Sequence, residues 1–192
     1  MKINTEGRQT MNKAIKAIAL ADDVSIVRAA DYFVAMARNA MNQAGIELQE
    51  LIDLASIDPA LTAITQAAEH RPDTKFNAAD STDATRRVLV TAAEDPTLTA
   101  IVEHCVSHWP DDRQAAGKTV TVGLLATLLV IVSTTQIDYV GEKIQMHKKT
   151  AIPDSAKASF SLLKSKFEFE VQSSSAAHAA EPKDASVEFN KN

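Results

Sequence analysis

Two histidines in the segment "EHCVSH" have the spacing best suited to metal chemistry. His104 and His108 are four residues apart, so on a helix both imidazoles project from one face and could bind the same metal ion. A third ligand would have to come from elsewhere, for example from His70 or Asp111. Glu103 precedes the first histidine, so the spacing of a His-Glu-x-x-His metalloprotease is absent. Because histidine cations are also favoured near helix C-termini, we interpret the pair as polar residues of a helix end and keep the metal site as an alternative.

Cys105 follows His104 directly and is the only cysteine of the chain, which excludes an intramolecular disulfide. On a helix its side chain points about 100° away from that of His104, which does not favour a thiol–imidazole pair of the catalytic kind. We therefore interpret Cys105 as a small core residue in a reducing compartment and expect a cytoplasmic location. The N-terminal residues resemble a helix rather than a signal peptide. We predict no catalytic residue and no cofactor.

The elements that carry these residues are predicted to be helices. The chain of 192 residues has 45% hydrophobic residues but only 5 Gly, 6 Pro and 5% aromatic residues, a composition that favours helix over sheet. The formal net charge of −5 gives no general attraction to nucleic acid. We predict a mainly all-α protein, a compact multi-helix bundle in which residues 1–172 form one domain.

A repeated stretch supports this prediction. "DPALTAI" from Asp58 and "DPTLTAI" from Asp95 agree at six of seven positions. In each copy Asp-Pro is expected to begin a helix, with the carboxylate as N-cap and proline at the first helical position. Pro72 and Pro110 would end the two helices. We interpret the copies as a duplicated αα-hairpin at about 46–72 and 83–110. The alternative is two helices that begin and end at the same residue types without a duplication.

The remaining N-terminal elements follow from apolar spacing and capping residues. A first helix is predicted over 9–21. Asp22 or Asp23 would cap a second, longer helix that stops at Gly45, a residue type that readily takes the left-handed conformation at a helix end.

The strongest single feature is the uncharged run from Thr119 to Ile137. Its length approaches a membrane span of about 20 residues, yet seven Ser, Thr and Gln side chains dilute it. We predict a buried central helix, with a membrane-inserting segment or a pair of buried strands as alternatives. The predicted core or membrane residues are Gly123, Leu124, Leu125, Leu128, Leu129, Val130, Ile131 and Val132.

Beyond this run, the spacing of Ile137, Val140 and Ile144 predicts another helix. Lys143, Lys148 and Lys149 form a basic cluster that we interpret as solvated. If the apolar run enters a membrane, this cluster favours a cytoplasmic C-terminal side.

The segment "KFEFEVQ" alternates apolar and charged residues with the period of a strand. Phe167, Phe169 and Val171 would share one face, and a single strand must pair with another strand or another chain unless the segment continues a helix. Residues 173–192 have the composition of a disordered tail.

The chain is predicted to be mainly helical, and no set of its residues has the spacing of a catalytic site. We therefore predict a non-enzymatic protein–protein interaction module, such as an adaptor or regulatory subunit. Its expected partner is another protein or a second copy of the chain, and not nucleic acid. One alternative is a membrane-acting or membrane-anchored protein that uses residues 119–137. The other is a metal-binding protein or enzyme that uses His104 and His108.

Overall fold

A computed structural model describes residues 12–73, 78–108, 120–141, 143–154, 156–157, 161 and 164. Within this part, seven helices precede two strands. The helices are α1 (Lys13–Leu20), α2 (Asp23–Ala44), α3 (Leu48–Ala55), α4 (Pro59–His70), α5 (Ala78–Glu94), α6 (Thr99–Ser107) and α7 (Val122–Thr134), and the strands are β1 (Thr135–Val140) and β2 (Lys143–Lys148). The mainly α-helical fold predicted from composition and periodicity is confirmed.

Several helices begin where the sequence supplies a capping side chain. The carboxylate of Asp22 accepts a hydrogen bond from the Ser25 N–H at 2.7 Å at the start of α2. Asp58 accepts from the N–H groups of Ala60 and Leu61 at the start of α4. These carboxylates satisfy N–H groups that have no partner inside the helix. The predictions for Asp22, for the Asp58–Pro59 pair and for Gly45, whose φ is 68° after α2, are confirmed.

The helix start predicted at Asp95–Pro96 is wrong by one turn, although the Asp95 carboxylate accepts from the N–H two residues further on, as the Asp58 carboxylate does. Helix α6 begins at Thr99, after a turn. The Asp95 carboxylate accepts hydrogen bonds from the N–H and the hydroxyl of Thr97 inside this turn. Its second oxygen accepts from Lys149 Nζ at 2.6 Å. This contact with a residue 54 positions away distinguishes Asp95 from Asp58, although the local sequences are nearly identical.

Helix α7 is the central helix of the core. It contacts α2, α3, α4 and α5, and its apolar residues extend around the whole helix, as expected for a helix with neighbours on several sides. Gly123 and Leu124 are half-buried. The other predicted residues are buried: Leu125, Leu128, Leu129, Val130, Ile131 and Val132. The predicted central buried helix is therefore confirmed.

The apolar run from 119 to 137 is not one continuous helix. Helix α7 ends at Thr134, and Thr135 to Ile137 belong to β1. Across the ranges that the structure describes, none of the helices has both the length and the apolar character needed to cross a bilayer.

Strands β1 and β2 form an antiparallel hairpin, so the helix predicted through Ile137 and Ile144 is wrong. Ile137 lies opposite Met146, and both are buried against the helices. Tyr139 lies opposite Ile144, on the same face. Gly141 has φ of 63° in the turn between the strands, a conformation that glycine adopts without steric cost. A two-stranded hairpin is marginal by itself, and this one packs against α2 and α6.

Some predictions fall outside the described residues. They are Pro110 as a helix end, Asp111 as a ligand, the strand with Phe167, Phe169 and Val171, and the tail 173–192.

Candidate functional site

The outer edge of β2 carries backbone groups that the hairpin does not use. The N–H of Lys149 donates to the carbonyl of Thr134, next to the Thr135–Lys148 pair in the register. In an antiparallel ladder, residue pairs that exchange hydrogen bonds alternate with pairs whose N–H and C=O point away from each other. The N–H and C=O groups of Ile144 and Met146 therefore point outward. No partner for them is found among the described residues.

An open groove runs along this edge. Its volume is about 600 Å³, with the C-terminal part of α2 on one side and residues 143–147 of β2 on the other. Ala40 and Met146 are buried in its lining, Ile144 is half-buried, and Ala44 adds another small side chain. Asn39 and Gln43 supply exposed amide groups. The groove therefore combines an open backbone edge with apolar lining and polar groups beside it.

The charge along β2 is positive. Lys143 and His147 line the groove and are exposed, and β2 contains no carboxylate. Lys143 has no ion pair among the described residues, while the imidazole of His147 lies 3.9 Å from the Asp138 carboxylate on β1. An acidic segment is the charge complement of this strand.

Two lysines of the predicted basic cluster are paired within the chain. Lys148 forms an ion pair with Glu50 at the surface. The side chain of Lys149 is only 9% exposed, and its Nζ contacts the Asp95 carboxylate at 2.6 Å and the Val132 carbonyl at 2.9 Å. Burial raises the pKa of Asp95, but hydrogen bonds from Lys149 and Thr97 outweigh this effect and hold the pKa below its usual value. Lys149 thus connects the turn before α6 to the C-terminal end of α7.

His104 and His108 do lie together, as their spacing predicts. The two rings stack with centroids 5.1 Å apart and an interplanar angle of 11°. His104 also contacts Tyr139 of β1, at 4.9 Å between ring centroids, and its Nε2 lies 3.4 Å from the Tyr32 hydroxyl of α2. Burial lowers the pKa of His104, and the nearby His108 lowers it further because two imidazolium ions repel each other. The structure thus places His104 in an aromatic cluster that joins α2, α6 and β1.

The described residues contain no group of three or more His, Cys, Asp and Glu side chains arranged to hold a metal ion. His70, one of the two predicted third ligands, hydrogen-bonds instead to the carbonyl of Gln66. The metal interpretation of the histidine pair stays a prediction without a third ligand in the described part of the chain.

Cys105 is fully buried, and its thiol lies 3.7 Å from the Met36 sulfur. Burial raises the pKa of this thiol far above its usual value. A protonated, inaccessible thiol is a poor nucleophile, and the interpretation of Cys105 as a core residue agrees with this environment.

A second cavity, of about 270 Å³, lies where α3, α4 and α7 meet. It is lined largely by apolar side chains, with Arg38 and Glu69 also in its lining. Gly123 allows close approach here, because its N–H donates to the Pro72 carbonyl at 3.0 Å and a Cβ at this position would lie 3.1 Å from that oxygen. This cavity brings no reactive groups together, so the β2 groove is the better candidate site.

Sequence reasoning missed the β2 groove because it assigned the hairpin to a helix. The signal was present: Ile137 and Tyr139 alternate with polar residues, and Gly141 separates them from a second alternating run with Ile144 and Met146. Period-two alternation on both sides of a glycine turn is typical of a hairpin. The spacing of Ile137, Val140 and Ile144 fits a helix equally well over so few residues.

Comparisons with known proteins found no matching family model, no similar curated protein and no similar solved structure.

Proposed function

We propose that the protein is a non-enzymatic protein–protein interaction module that binds an extended segment of its partner along β2. The observation that carries the proposal is the unpaired backbone edge of Ile144 and Met146 beside the groove formed with α2. A peptide that adds a strand to such an edge gains main-chain hydrogen bonds, and pockets for alternate side chains select its sequence.

The groove defines the kind of segment that fits. Alternate side chains of an added strand would point towards Ala40, Ala44 and Met146, so apolar residues are favoured at every second position. The other side chains would lie near Lys143 and His147, where carboxylates gain favourable electrostatic interactions. The expected ligand is an extended segment in which apolar and acidic residues alternate.

The alternatives to this function stay predictions. No described feature favours a membrane-acting protein or a metal enzyme over the interaction module, and the cytoplasmic location also stays a prediction. A role as adaptor or regulatory subunit belongs to the same proposal.

The proposal is tested by selecting peptides from a random displayed library with the full-length protein. We expect selected peptides with period-two alternation. Replacing Ile144 by proline removes an N–H that points away from β1 and leaves the hairpin hydrogen bonds in place. Loss of one such hydrogen bond corresponds to about a tenfold weaker affinity, measurable by fluorescence anisotropy.

The matched control is Ile144→Ala, which also loses the side chain but keeps the N–H. If Ile144→Pro and Ile144→Ala weaken binding equally, the main-chain contact does not exist. Selection of peptides with helical apolar spacing would also contradict strand addition at β2.

A further inference from the structure

We infer that the β2 groove takes this chain's own segment 167–171, "FEFEV", as a third strand, so that a partner must displace it. The inference rests on the proposed function, because it concerns the same groove. Residues 165–192 lie outside the described part of the chain, so the support comes from the described groove and from the amino-acid sequence.

The segment has the pattern that the groove selects. Phe167, Phe169 and Val171 are apolar and alternate with Glu168 and Glu170. On a strand the three apolar side chains share one face and the two carboxylates share the other. The apolar face matches the lining formed by Ala40, Ala44 and Met146, and the carboxylates match Lys143 and His147.

The number of residues between β2 and segment 167–171 is sufficient for a connection between neighbouring strands. Strand β2 ends at Lys148, and 18 residues separate it from Phe167. A crossover to a parallel neighbouring strand needs about a dozen residues or more, and an antiparallel return needs fewer.

A second copy of β2 is a poorer occupant of the same edge. Pairing two β2 strands would bring Lys143 and His147 of both copies onto one face, and like charges on neighbouring strands are destabilising. The segment 167–171 also has an advantage over a second copy of the chain, because the two binding partners already belong to one molecule. Covalent connection makes its binding intramolecular, which favours it over the same strand on a separate molecule.

An occupied groove lowers the apparent affinity for any partner. The measured dissociation constant increases as the fraction of molecules with a free groove decreases. Binding of a partner would therefore depend on release of segment 167–171, which makes this segment a built-in competitor.

Hydrogen exchange in the full-length protein tests the inference. The N–H groups of Ile144 and Met146 point away from β1, so they exchange freely unless another strand covers them. We expect both amides to exchange at least about tenfold more slowly in the wild type than in the double variant Phe167→Ser/Phe169→Ser, measured by NMR. A tenfold difference corresponds to about 1.4 kcal/mol of protection.

Internal and matched controls are available. The amides of Gln145 and His147 donate within the hairpin and should exchange at the same rate in the wild type and in the double variant. Phe189→Ser makes the same chemical change further along the chain and should leave Ile144 and Met146 protected. Faster exchange at all four amides in the double variant would mean that the substitutions disturb the hairpin. The exchange rates of the Ile144 and Met146 amides in the wild type then decide: protected amides support the inference, and unprotected amides overturn it.

In a peptide-binding measurement, Phe167→Ser/Phe169→Ser should bind a selected peptide at least about tenfold more tightly than the wild type or Phe189→Ser. Unprotected Ile144 and Met146 amides in the wild type, or an unchanged peptide affinity in the double variant, would overturn the inference. Protection that depends on protein concentration and accompanies a dimer mass in light scattering would also overturn it in favour of a second copy.

The experiments can disprove either proposal without disproving the other. Peptide binding that Ile144→Pro abolishes, without protection of the edge amides in the wild type, leaves the interaction module intact and removes the internal competitor. Protected edge amides that Phe167→Ser/Phe169→Ser releases, without any peptide selected by this double variant, support the third strand and argue against a partner-binding groove.

Discussion

At the scale of single residues, His104 is the histidine whose charge depends most clearly on the surrounding fold. It is half-buried and contacts Tyr32, Tyr139 and His108. Burial and the neighbouring imidazole lower its pKa from the usual 6.5. A histidine with a lowered pKa in the folded state binds protons more readily when the chain is unfolded, so protonation favours unfolding.

This predicts a pH dependence of stability with a definite sign. The free energy of unfolding should fall as the pH decreases below about 6.5, the value for the unfolded chain, until the lower folded-state pKa is passed. His104→Phe keeps an aromatic ring in the cluster and should make the stability less dependent on pH between about 7.5 and 5.5. Urea unfolding at several pH values, followed by circular dichroism, measures this dependence.

The matched control is His70→Gln, at an exposed histidine at the end of α4. This variant should keep the pH dependence of the wild type. If His104→Phe and the wild type lose equal stability on acidification, His104 is not the group responsible.

At the scale of elements, the groove depends on the β-hairpin, because β2 forms one of its two sides. Its buried side chains are few, mainly Ile137 and Met146, and its turn depends on Gly141 at φ of 63°. An L-residue in this left-handed region costs about 1 kcal/mol or more. The hairpin is therefore an element whose stability one turn residue can change.

We predict that Gly141→Ala lowers the free energy of unfolding by about 1 kcal/mol and accelerates hydrogen exchange at the Gln145 and His147 amides. Gly45→Ala provides a matched control, because Gly45 has φ of 68° at the end of α2 and a Cβ there has open space, as at Gly141. Gly45→Ala should cost similar stability without accelerating exchange in the hairpin. Equal acceleration by both variants would show that exchange reports global unfolding instead.

At the scale of the whole molecule, Lys149 connects parts of the fold that are distant in sequence. Its side chain contacts Asp95 in the turn before α6 and the Val132 carbonyl near the end of α7. Its backbone N–H continues the hairpin ladder by donating to Thr134. One residue at the end of the hairpin therefore contacts both the central helix α7 and the turn between α5 and α6.

Replacing Lys149 by methionine should lower the free energy of unfolding by about 2 kcal/mol, because it leaves the largely buried Asp95 carboxylate without its cation. Lys143→Met makes the same change at an exposed lysine without an ion pair among the described residues and should change stability by less than about 0.5 kcal/mol. Thermal or urea unfolding compares the two. Similar effects at both positions would indicate that Lys149 has no special role in the fold.

The amino-acid sequence by itself determined the features that depend on neighbouring residues. Asp22 and Asp58 cap the helices that follow them, and Gly45 ends α2, because each interaction is made within one turn of chain. The central position of α7 also follows from local composition, since a helix that is apolar on all sides needs neighbours around it. The sequence also identified His104 and His108 as neighbours.

Only the tertiary structure decided the features that depend on distant partners. Asp95 and Asp58 begin nearly identical stretches, and each carboxylate accepts from the N–H two residues further on, but Asp95 also pairs with a lysine 54 residues away, Lys149. The run from Ile137 to Ile144 fits a helix and a hairpin equally well, and packing against α2 and α6 selects the hairpin. The groove that carries the proposed function exists because this hairpin lies beside α2, a contact between residues about a hundred positions apart that no local pattern encodes.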